Sequence, residues 1–259
     1  MRSDPPEMVD HLRFVTCETC GWEVFDNQPH PLDPERSREI LRFQDAYWRL
    51  QAHGPETISA QLMVMRAPRY RACARFVIEA VDRIEGPVSI LDIGASSGPV
   101  LELIARRRPE VLSRLSYVAI EPSPAFTAAL QRVAHALCID SEIIEKPIGE
   151  AAEDPRLFRP FDICIALDVF CCVDAAAVKM FLDRHARRWA SMVMRDYMGL
   201  AKEDPIAMYV MYNPTFPLFA HNWRRLLPDY GFRITETAPS NNGRNDGYSW
   251  QAMKVERDD

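Results

Sequence analysis

Residues 89–105 read SILDIGASSGPVLELIA, and this stretch decides the fold of the chain. An apolar run ends at Ile93, a loop of small residues follows from Gly94 to Gly98, and a helical pattern begins directly after it. Such a loop lets a ligand approach the backbone closely, and the N-terminus of the next helix favours negative charge. The stretch therefore predicts a strand–loop–helix unit that binds a ligand at its loop.

From Val88 onward, short apolar runs alternate with helical segments, which predicts a parallel sheet with crossover helices. The first five runs are VSILDIG, LSYVAIEP, SEIIEKP, FDICIALDV and ASMVMRD. The last two, FRITETA and YSWQAMKVE, flank a segment rich in Asn and Gly, which is typical of a hairpin with a long loop. We expect an α/β domain over residues 86–259.

Residues 1–85 carry a different pattern, and we expect them to form a helical N-terminal cap or lid segment. The first 30 or so residues are punctuated by prolines and predict a loosely structured arm. From Asp33, apolar residues at helical spacing predict an amphipathic helix that ends before Gly54. Two further helical stretches precede the sheet.

The composition and charge of the chain argue against a membrane protein, a secreted protein and a nucleic-acid-binding protein. The net charge is −6, no run of about 18 apolar residues exists, and the N-terminus carries acids and prolines where a signal peptide needs a basic start. We expect a cytoplasmic protein that contacts neither membrane nor nucleic acid, and a homodimer is left open. The seven cysteines predict reduced thiols. Only Cys17 and Cys20 have metal-ligand spacing, and without a second such pair no metal site is predicted.

Three readings compete for the loop. Glu121 ends the next strand, 27 residues after Gly94, where an acid binds the ribose hydroxyls of an adenosine-containing cofactor. GASSG also fits a hydrolase nucleophile elbow, with Ser96 as nucleophile and with Asp168 and His185 or His221 following in the required order. An elbow follows several strands, however, whereas everything before Val88 is predicted as helix or arm. Nicotinamide binding would require a second mononucleotide-binding half, and this chain ends in a hairpin instead.

Four stretches in order carry a resemblance to a known family: ILDIGASSGPVLELIARRRP, YVAIEPSPAFTAAL, FDICIALDVFCCVD and LLPDYGFRITET. Together they resemble the class I S-adenosylmethionine-dependent methyltransferases. The resemblance implies a Rossmann-like, doubly wound, mostly parallel sheet of seven strands with the last inserted antiparallel. It also implies S-adenosylmethionine as cofactor and methyl transfer. The candidate aromatic walls and the acidic net charge favour a small molecule as acceptor. Ser96 departs from the family's first motif, which usually has glycine there.

The resemblance assigns a role to each matching position. Asp92 and the loop residues Gly94, Ala95, Ser96 and Gly98 would surround the methionine portion of the cofactor, and Glu121, followed by Pro122, would bind the ribose. The segment from Lys146 to Ile148 would flank the adenine, although the family's usual acid is not in its place. Asp168, Val169 and Phe170 would face the sulfonium and the substrate.

Residue type and position suggest further participants. Tyr70 comes just before the sheet together with Arg66, Arg69 and Arg71, and these residues could reach the cofactor's carboxylate. Methyl transfer mainly needs alignment, and a base is needed only if the acceptor loses a proton. The candidate bases are Asp196, Tyr197 and His221, the last of which is predicted to open a helix. Aromatic walls for the substrate are predicted from Tyr47, Trp48, Tyr209 and Tyr212.

Two other functions share the same binding residues. Enzymes that resemble this family also use S-adenosylmethionine for internal ring closure or for aminocarboxypropyl transfer, releasing methylthioadenosine. A non-catalytic partner protein could bind the cofactor and form neither product. The sequence leaves these alternatives, and the identity of the acceptor, open.

Overall fold

The structure is a computed structural model, and it describes residues 14–16, 23–25, 62–199, 207–213, 216–239 and 248–258. For residues 14–16, 23–25, 198–199, 207–213, 216–218 and 248–249 it describes the backbone only. Cys17, Cys20, Tyr47, Trp48 and the helix predicted from Asp33 lie outside the described residues.

The strands, in chain order, are β1 (Phe14–Thr16), β2 (Glu23–Phe25), β3 (Val88–Ile93), β4 (Leu115–Ile120), β5 (Asp140–Ile144), β6 (Phe161–Leu167), β7 (Trp189–Gly199), β8 (Ala207–Asn213), β9 (Phe216–His221), β10 (Phe232–Pro239) and β11 (Tyr248–Arg257). The α-helices are α1 (Arg71–Asp82), α2 (Pro99–Arg107), α3 (Pro124–Ala136), α4 (Ile148–Ala151), α5 (Ala175–His185) and α6 (Trp223–Leu226). Short 3-10 turns include Pro68–Tyr70 and Phe170–Cys172.

A seven-stranded sheet in the order β10-β11-β7-β6-β3-β4-β5 forms the centre of the fold. Neighbours from β7 to β5 pair in parallel, and β11 pairs antiparallel with both β7 and β10. This confirms the predicted mostly parallel sheet with an antiparallel terminal strand. Because β3 pairs with β4 on one side and β6 on the other, its carboxyl end lies at the topological switch point, where open α/β sheets bind ligands.

Apolar side chains cover both faces of the sheet, which explains why its strands read as continuous apolar runs. Along β6, Cys164 and Ala166 belong to one buried cluster, and Ile163 and Ile165 belong to the other. Helix α5 packs on the first face and helices α1 and α2 on the second. Helix α1 thus belongs to the layer that covers the sheet, although it precedes residue 86.

Two hairpins depart from the predicted pattern. Strands β1 and β2 pair antiparallel within the segment that was predicted as a loosely structured arm. Strands β8 and β9 pair in the stretch between the fifth sheet strand and α6, and β9 packs against β7 and the Phe170–Cys172 turn. His221 is the last residue of β9, and α6 begins at Trp223, so its predicted position at a helix opening is wrong.

In the part of the chain that the structure describes, no helix has the length and apolar character needed to cross a membrane.

Candidate functional site at the carboxyl end of the sheet

The loop from Gly94 to Gly98 is held between two strands and a helix. The backbone N–H groups of Gly94 and Ala95 both donate to the carbonyl oxygen of Ile120, at 2.7 and 3.2 Å. The loop therefore stays tied to the end of β4, and α2 follows it with Pro99 as its first residue. Pro is well suited to this first helical position because it has no N–H to leave unpaired.

Space and conformation require glycine at both ends of the loop. Gly94 has φ +69°, and a Cβ placed there would lie 2.2 Å from Cγ2 of Val169. Gly98 has φ +94°, and its Cβ would lie 2.8 Å from Cδ1 of Leu130. Left-handed backbone is disfavoured for residues with a Cβ, so a side chain at either position adds strain to a collision. The contact with Val169 also shows that the turn after β6 packs directly on the loop.

Ser96 also adopts a left-handed conformation, with φ +48°. This explains physically why glycine is usual at this motif position in the resembling family, and it makes the serine a mildly strained replacement. Its hydroxyl oxygen is buried and has no hydrogen-bond partner among the described residues. A hydroxyl offers one donor and two acceptor sites, so a polar ligand group beside the loop would satisfy it.

The Glu121 side chain joins the end of β4 to the loop. Its Oε2 accepts the Ser96 N–H at 2.8 Å, and its Oε1 accepts the Ser123 N–H at 2.9 Å. Burial raises the pKa of this carboxyl to about 7, and the two backbone hydrogen bonds oppose that increase. Each carboxylate oxygen keeps further acceptor capacity, so the side chain can still receive hydroxyl groups from a ligand.

Asp92, near the end of β3, is a second buried carboxyl group close to Glu121. The hydroxyl of Tyr117 donates to its Oδ2. Burial raises the pKa of Asp92 to about 7, the hydrogen bond from Tyr117 lowers it, and the charge of Glu121 adds to the increase. Asp92 is thus held by a neighbour in the sheet, and its predicted contact with the cofactor stays a prediction.

Asp168, directly after β6, lies in a cluster of polar and aromatic side chains. It adopts φ +60°, and its carboxylate accepts hydrogen bonds from the Tyr70 hydroxyl and the Arg195 guanidinium. The guanidinium carbon of Arg195 lies 4.7 Å from the ring centroid of Tyr70 and 4.4 Å from that of Trp250. The structure therefore brings Tyr70 and Asp168 together, as expected if both line one site.

The predicted adenine side is less enclosed. Pro122 is exposed, Ile148 is buried at the start of α4, and Nζ of the half-exposed Lys146 lies 3.6 Å from Oδ2 of Asp154. Phe170 is buried against Trp223, with ring centroids 5.1 Å apart, so it belongs to the core beneath the turn. These positions surround the carboxyl ends of β4, β5 and β6, and their roles stay predictions.

The candidate bases Asp196 and Tyr197 are adjacent in β7, and both are buried. Oδ2 of Asp196 accepts the indole N–H of Trp223 at 2.7 Å, and Oδ1 accepts the Tyr197 N–H at 2.8 Å. Burial raises the pKa of Asp196 to about 8, and these hydrogen bonds oppose the increase. The Tyr197 ring packs edge-on against Trp250, with centroids 5.5 Å apart. Both residues follow Arg195 at the end of β7.

His221 is fully buried and contacts the turn after β6. Its Nε2 lies 2.8 Å from the carbonyl oxygen of Phe170 and 3.0 Å from that of Val173. Because both partners are acceptors, we assign the ring proton to Nε2, which leaves the lone pair on Nδ1. Burial lowers the pKa of the ring, so it is neutral at pH 7. These hydrogen bonds join β9 to the turn after β6, and a role of His221 as a base stays a prediction.

The described residues do not assemble a hydrolase triad. Nε2 of His185 lies 2.9 Å from the carbonyl oxygen of Ala152, and His221 bonds to the carbonyls after β6. Asp168 is engaged by Tyr70 and Arg195, and the Ser96 hydroxyl has no partner there. The nucleophile-elbow interpretation of Ser96 therefore finds no support in the described geometry.

The predicted substrate walls are described only in part. Tyr47 and Trp48 lie outside the described residues, and for Tyr209 and Tyr212 only the backbone position in β8 is described. Sequence reasoning missed Arg195, Trp250 and Tyr117. A signal for Arg195 exists in the run SMVMRD, because a charged residue that follows an apolar run within a strand needs a partner when it is buried.

Solved structures with a similar fold include methyltransferases with bound S-adenosylmethionine or S-adenosylhomocysteine. Magnesium protoporphyrin IX methyltransferase from Synechocystis PCC 6803, with bound S-adenosylmethionine, gives a TM-score of 0.53 at 12% identity, over 84% of this chain and 97% of that one. The same enzyme with bound S-adenosylhomocysteine gives a TM-score of 0.54 at 12% identity, over 84% of this chain and 99% of that one. An S-adenosylmethionine-dependent methyltransferase from Clostridium acetobutylicum gives a TM-score of 0.53 at 10% identity, over 77% of this chain and 96% of that one.

The fold is that of the class I methyltransferases. At these identities the likeness shows the fold and not the reaction or the acceptor. No protein-family model matches the chain, and no curated protein matches it significantly.

Proposed function

We propose that this chain is an S-adenosylmethionine-dependent methyltransferase that acts on a small molecule. The observation that carries the proposal is the pairing of the left-handed loop with the buried Glu121 carboxylate at the switch point of a methyltransferase fold. Loop and acid come from different strands, and the hydrogen bond between them places both at one edge of the sheet. Neither feature alone would identify the cofactor.

The residues present fit this cofactor. Glu121 would hold the ribose hydroxyls, because each of its oxygens has acceptor capacity beyond its backbone partner. The orphaned Ser96 hydroxyl would gain a partner from a polar group of the ligand. Gly94 and Gly98 keep the loop backbone free of side chains. When bound, S-adenosylmethionine supplies a methyl group activated by the adjacent sulfonium.

The chain's own contribution would be alignment and exclusion of water. Holding both reactants in a reactive geometry can supply about 7–11 kcal/mol of the barrier. Asp168 would face the sulfonium and the acceptor, and Tyr70 would lie on the cofactor side, where its hydroxyl donates to the Asp168 carboxylate. If the acceptor must lose a proton, Asp196 is a candidate base because it follows Arg195, the partner of Asp168, in β7.

Two features support a small acceptor. The net charge of −6 opposes binding to nucleic acid, and the rings of Tyr70 and Trp250 lie against Arg195, which pairs with Asp168, at this edge of the sheet. We also propose that residues 1–85 include a cap or lid segment. Within the described part of this segment, Tyr70 donates to Asp168, whereas α1 belongs to the layer that covers the sheet.

The test is the product derived from the cofactor. Purified chain is titrated with S-adenosylmethionine by calorimetry and then incubated with candidate acceptors, and the products are identified by mass spectrometry. S-adenosylhomocysteine together with a methylated acceptor supports the proposal. Methylthioadenosine would instead show attack on another carbon beside the sulfur, and a chain that binds no S-adenosylmethionine would contradict the proposal.

A further inference from the structure

Arg195 is a buried cation in an aromatic environment. Its side chain is only 4% exposed, and its guanidinium lies between the rings of Tyr70 and Trp250. Burying a charge is costly, and a buried ion pair is often no better for stability than apolar residues of the same volume. A well-packed apolar residue at this position would therefore serve the stability of the fold equally well. Stability alone does not explain why the position holds an arginine.

Asp168 is tied to Arg195 by both backbone and side chain. The Asp168 N–H donates to the Arg195 carbonyl oxygen at 2.8 Å, and the Arg195 guanidinium donates to Oδ1 of Asp168. The Tyr70 hydroxyl holds the other carboxylate oxygen. Asp168 needs these bonds, because its φ of +60° lies in a region that surrounding contacts must enforce for a residue other than glycine.

Val169, the residue after Asp168, connects the position of Asp168 to the Gly94 loop by direct packing. Val169 follows Asp168, and its Cγ2 occupies the space where a Cβ on Gly94 would lie, 2.2 Å from that position. A change in the backbone at Asp168 would move Val169 relative to the loop. Arg195, Asp168, Val169 and Gly94 thus form a continuous series of contacts from β7 to the loop after β3.

We propose that Arg195 is a positioning residue for the cofactor site: by fixing the carboxylate and backbone of Asp168, it sets the position of Val169 against the Gly94 loop. The inference rests on the proposed function, since it names a residue that prepares the site for S-adenosylmethionine. Arg195 acts through Asp168 and needs no contact of its own with the cofactor.

The experiment compares S-adenosylmethionine affinity, by calorimetry, for the full chain and for the variants Arg195→Gln, Asp168→Asn and the double variant. Arg257→Gln is the matched control. Its guanidinium also lies over an aromatic ring, 4.6 Å from the centroid of Phe232, and it donates to the carbonyls of Ala186 and Trp189 at the opposite end of β7. Melting temperatures are measured for every variant.

The expected result is a loss of affinity of about ten-fold or more for Arg195→Gln, the range for a lost hydrogen bond to a charged group. Arg257→Gln should lower the melting temperature and leave the affinity within two-fold or so of the parent, because it lies far from the loop. The double variant should bind no more weakly than the weaker single variant, because Arg195 acts through Asp168. Additive losses, or equal affinity of Arg195→Gln and parent, would overturn the inference.

A readout without cofactor keeps the two proposals separate. In the ligand-free chain, hydrogen exchange of the peptide that contains Asp168 and Val169 should be faster in Arg195→Gln than in Arg257→Gln, and equal rates would contradict the inference. If Arg195→Gln does not fold, Tyr70→Phe removes one bond to Asp168 and keeps the ring, and a loss of affinity of a few-fold is then expected. If the parent chain binds no S-adenosylmethionine, the proposed function fails and this inference fails with it.

Discussion

The Ser96 N–H donates to Oε2 of Glu121 at 2.8 Å, so a loop after the first strand of the sheet and an acid after the second share one hydrogen bond. The bond positions a carboxylate beside a backbone that only small residues can form. It also consumes one lone pair of Glu121 in the ligand-free chain, and Ser123 consumes another on the second oxygen. Any change at Glu121 therefore affects both the loop and the ligand.

We expect Glu121→Gln to weaken S-adenosylmethionine binding by about ten- to a hundred-fold, which corresponds to the loss of one or two hydrogen bonds to a charged group. The amide has one acceptor oxygen, and its NH₂ group would face the N–H of Ser96 or Ser123. Calorimetry measures the change. Glu142→Gln is the matched control, since Glu142 is a half-exposed strand residue paired with Arg159. Equal affinities for parent and Glu121→Gln would remove Glu121 from the site.

Gly94→Ala should destabilise the chain and abolish cofactor binding. Its Cβ would lie 2.2 Å from Val169, and overpacking of this kind costs about 1–3 kcal/mol in addition to the left-handed strain. Thermal unfolding should show a fall of several degrees. Val169→Ala in the same chain should recover part of the loss, because it removes the collision and leaves the strain. Gly149→Ala is the control, since nothing lies within 4 Å of a Cβ there, and a similar fall in that variant would refute the collision as the cause.

The fold could be predicted because its signals are local. Residues 163–166 of β6 are buried on alternate faces and so appear as one apolar run, and the loop residues required for a left-handed turn are adjacent in sequence. The pairing of Glu121 with the loop could be anticipated because consecutive parallel strands end at the same edge of the sheet.

The cluster around Asp168 could not be predicted in the same way. Tyr70 is 98 residues away from Asp168 and Arg195 is 27, and their meeting depends on the order of strands and on the packing of α1. His221 shows a second limit. Its position just before a helical pattern suggested a helix opening, whereas it belongs to a hairpin strand whose partner decides its conformation. Strand pairing of this kind depends on tertiary context more than on local preference.

The stability of the chain should reflect its buried carboxyl groups. The pKa of Asp92 is raised to about 7 from an unfolded value near 4, so the folded chain holds this proton more tightly than the unfolded chain does. The stability that the protonated Asp92 carboxyl contributes to the folded chain is fully present below about pH 4, and it is lost as the pH rises to about 7. Asp92→Asn should therefore gain stability relative to the parent over this window, by up to about 1.4 kcal/mol per pH unit.

Melting curves of both chains between pH 4.5 and about 8 measure this difference. The comparison with the parent is needed because His185 and His221, whose pKa values are lowered by burial, act in the opposite direction. Asp140→Asn is the control for replacing a carboxylate by an amide, because Asp140 is an exposed strand residue. A constant difference for Asp92→Asn would show that Asp92 is charged in the folded chain.

The thiols should differ in reactivity according to burial. Cys73, Cys164 and Cys171 are buried, Cys138 is exposed, and Cys172 is intermediate. Burial raises the pKa of Cys73, Cys164 and Cys171, which reduces their thiolate fraction. Among these five described thiols, we expect iodoacetamide to modify Cys138 first, Cys172 more slowly and the three buried thiols only on unfolding, as measured by peptide mass spectrometry over time.

The reactivity of Cys172 should report on cofactor binding, because Cys172 lies close to Asp168. Its Sγ lies 4.0 Å from the carbonyl oxygen of Asp168 and 3.9 Å from the Sγ of Cys171, so it lies beside the turn that packs on the Gly94 loop. A bound cofactor should hold this turn in place and slow the modification of Cys172 several-fold, while the rate at Cys138, at the far end of α3, should not change. Equal protection of both thiols would indicate a general stabilisation of the fold, and no protection of Cys172 would separate the turn from the cofactor site.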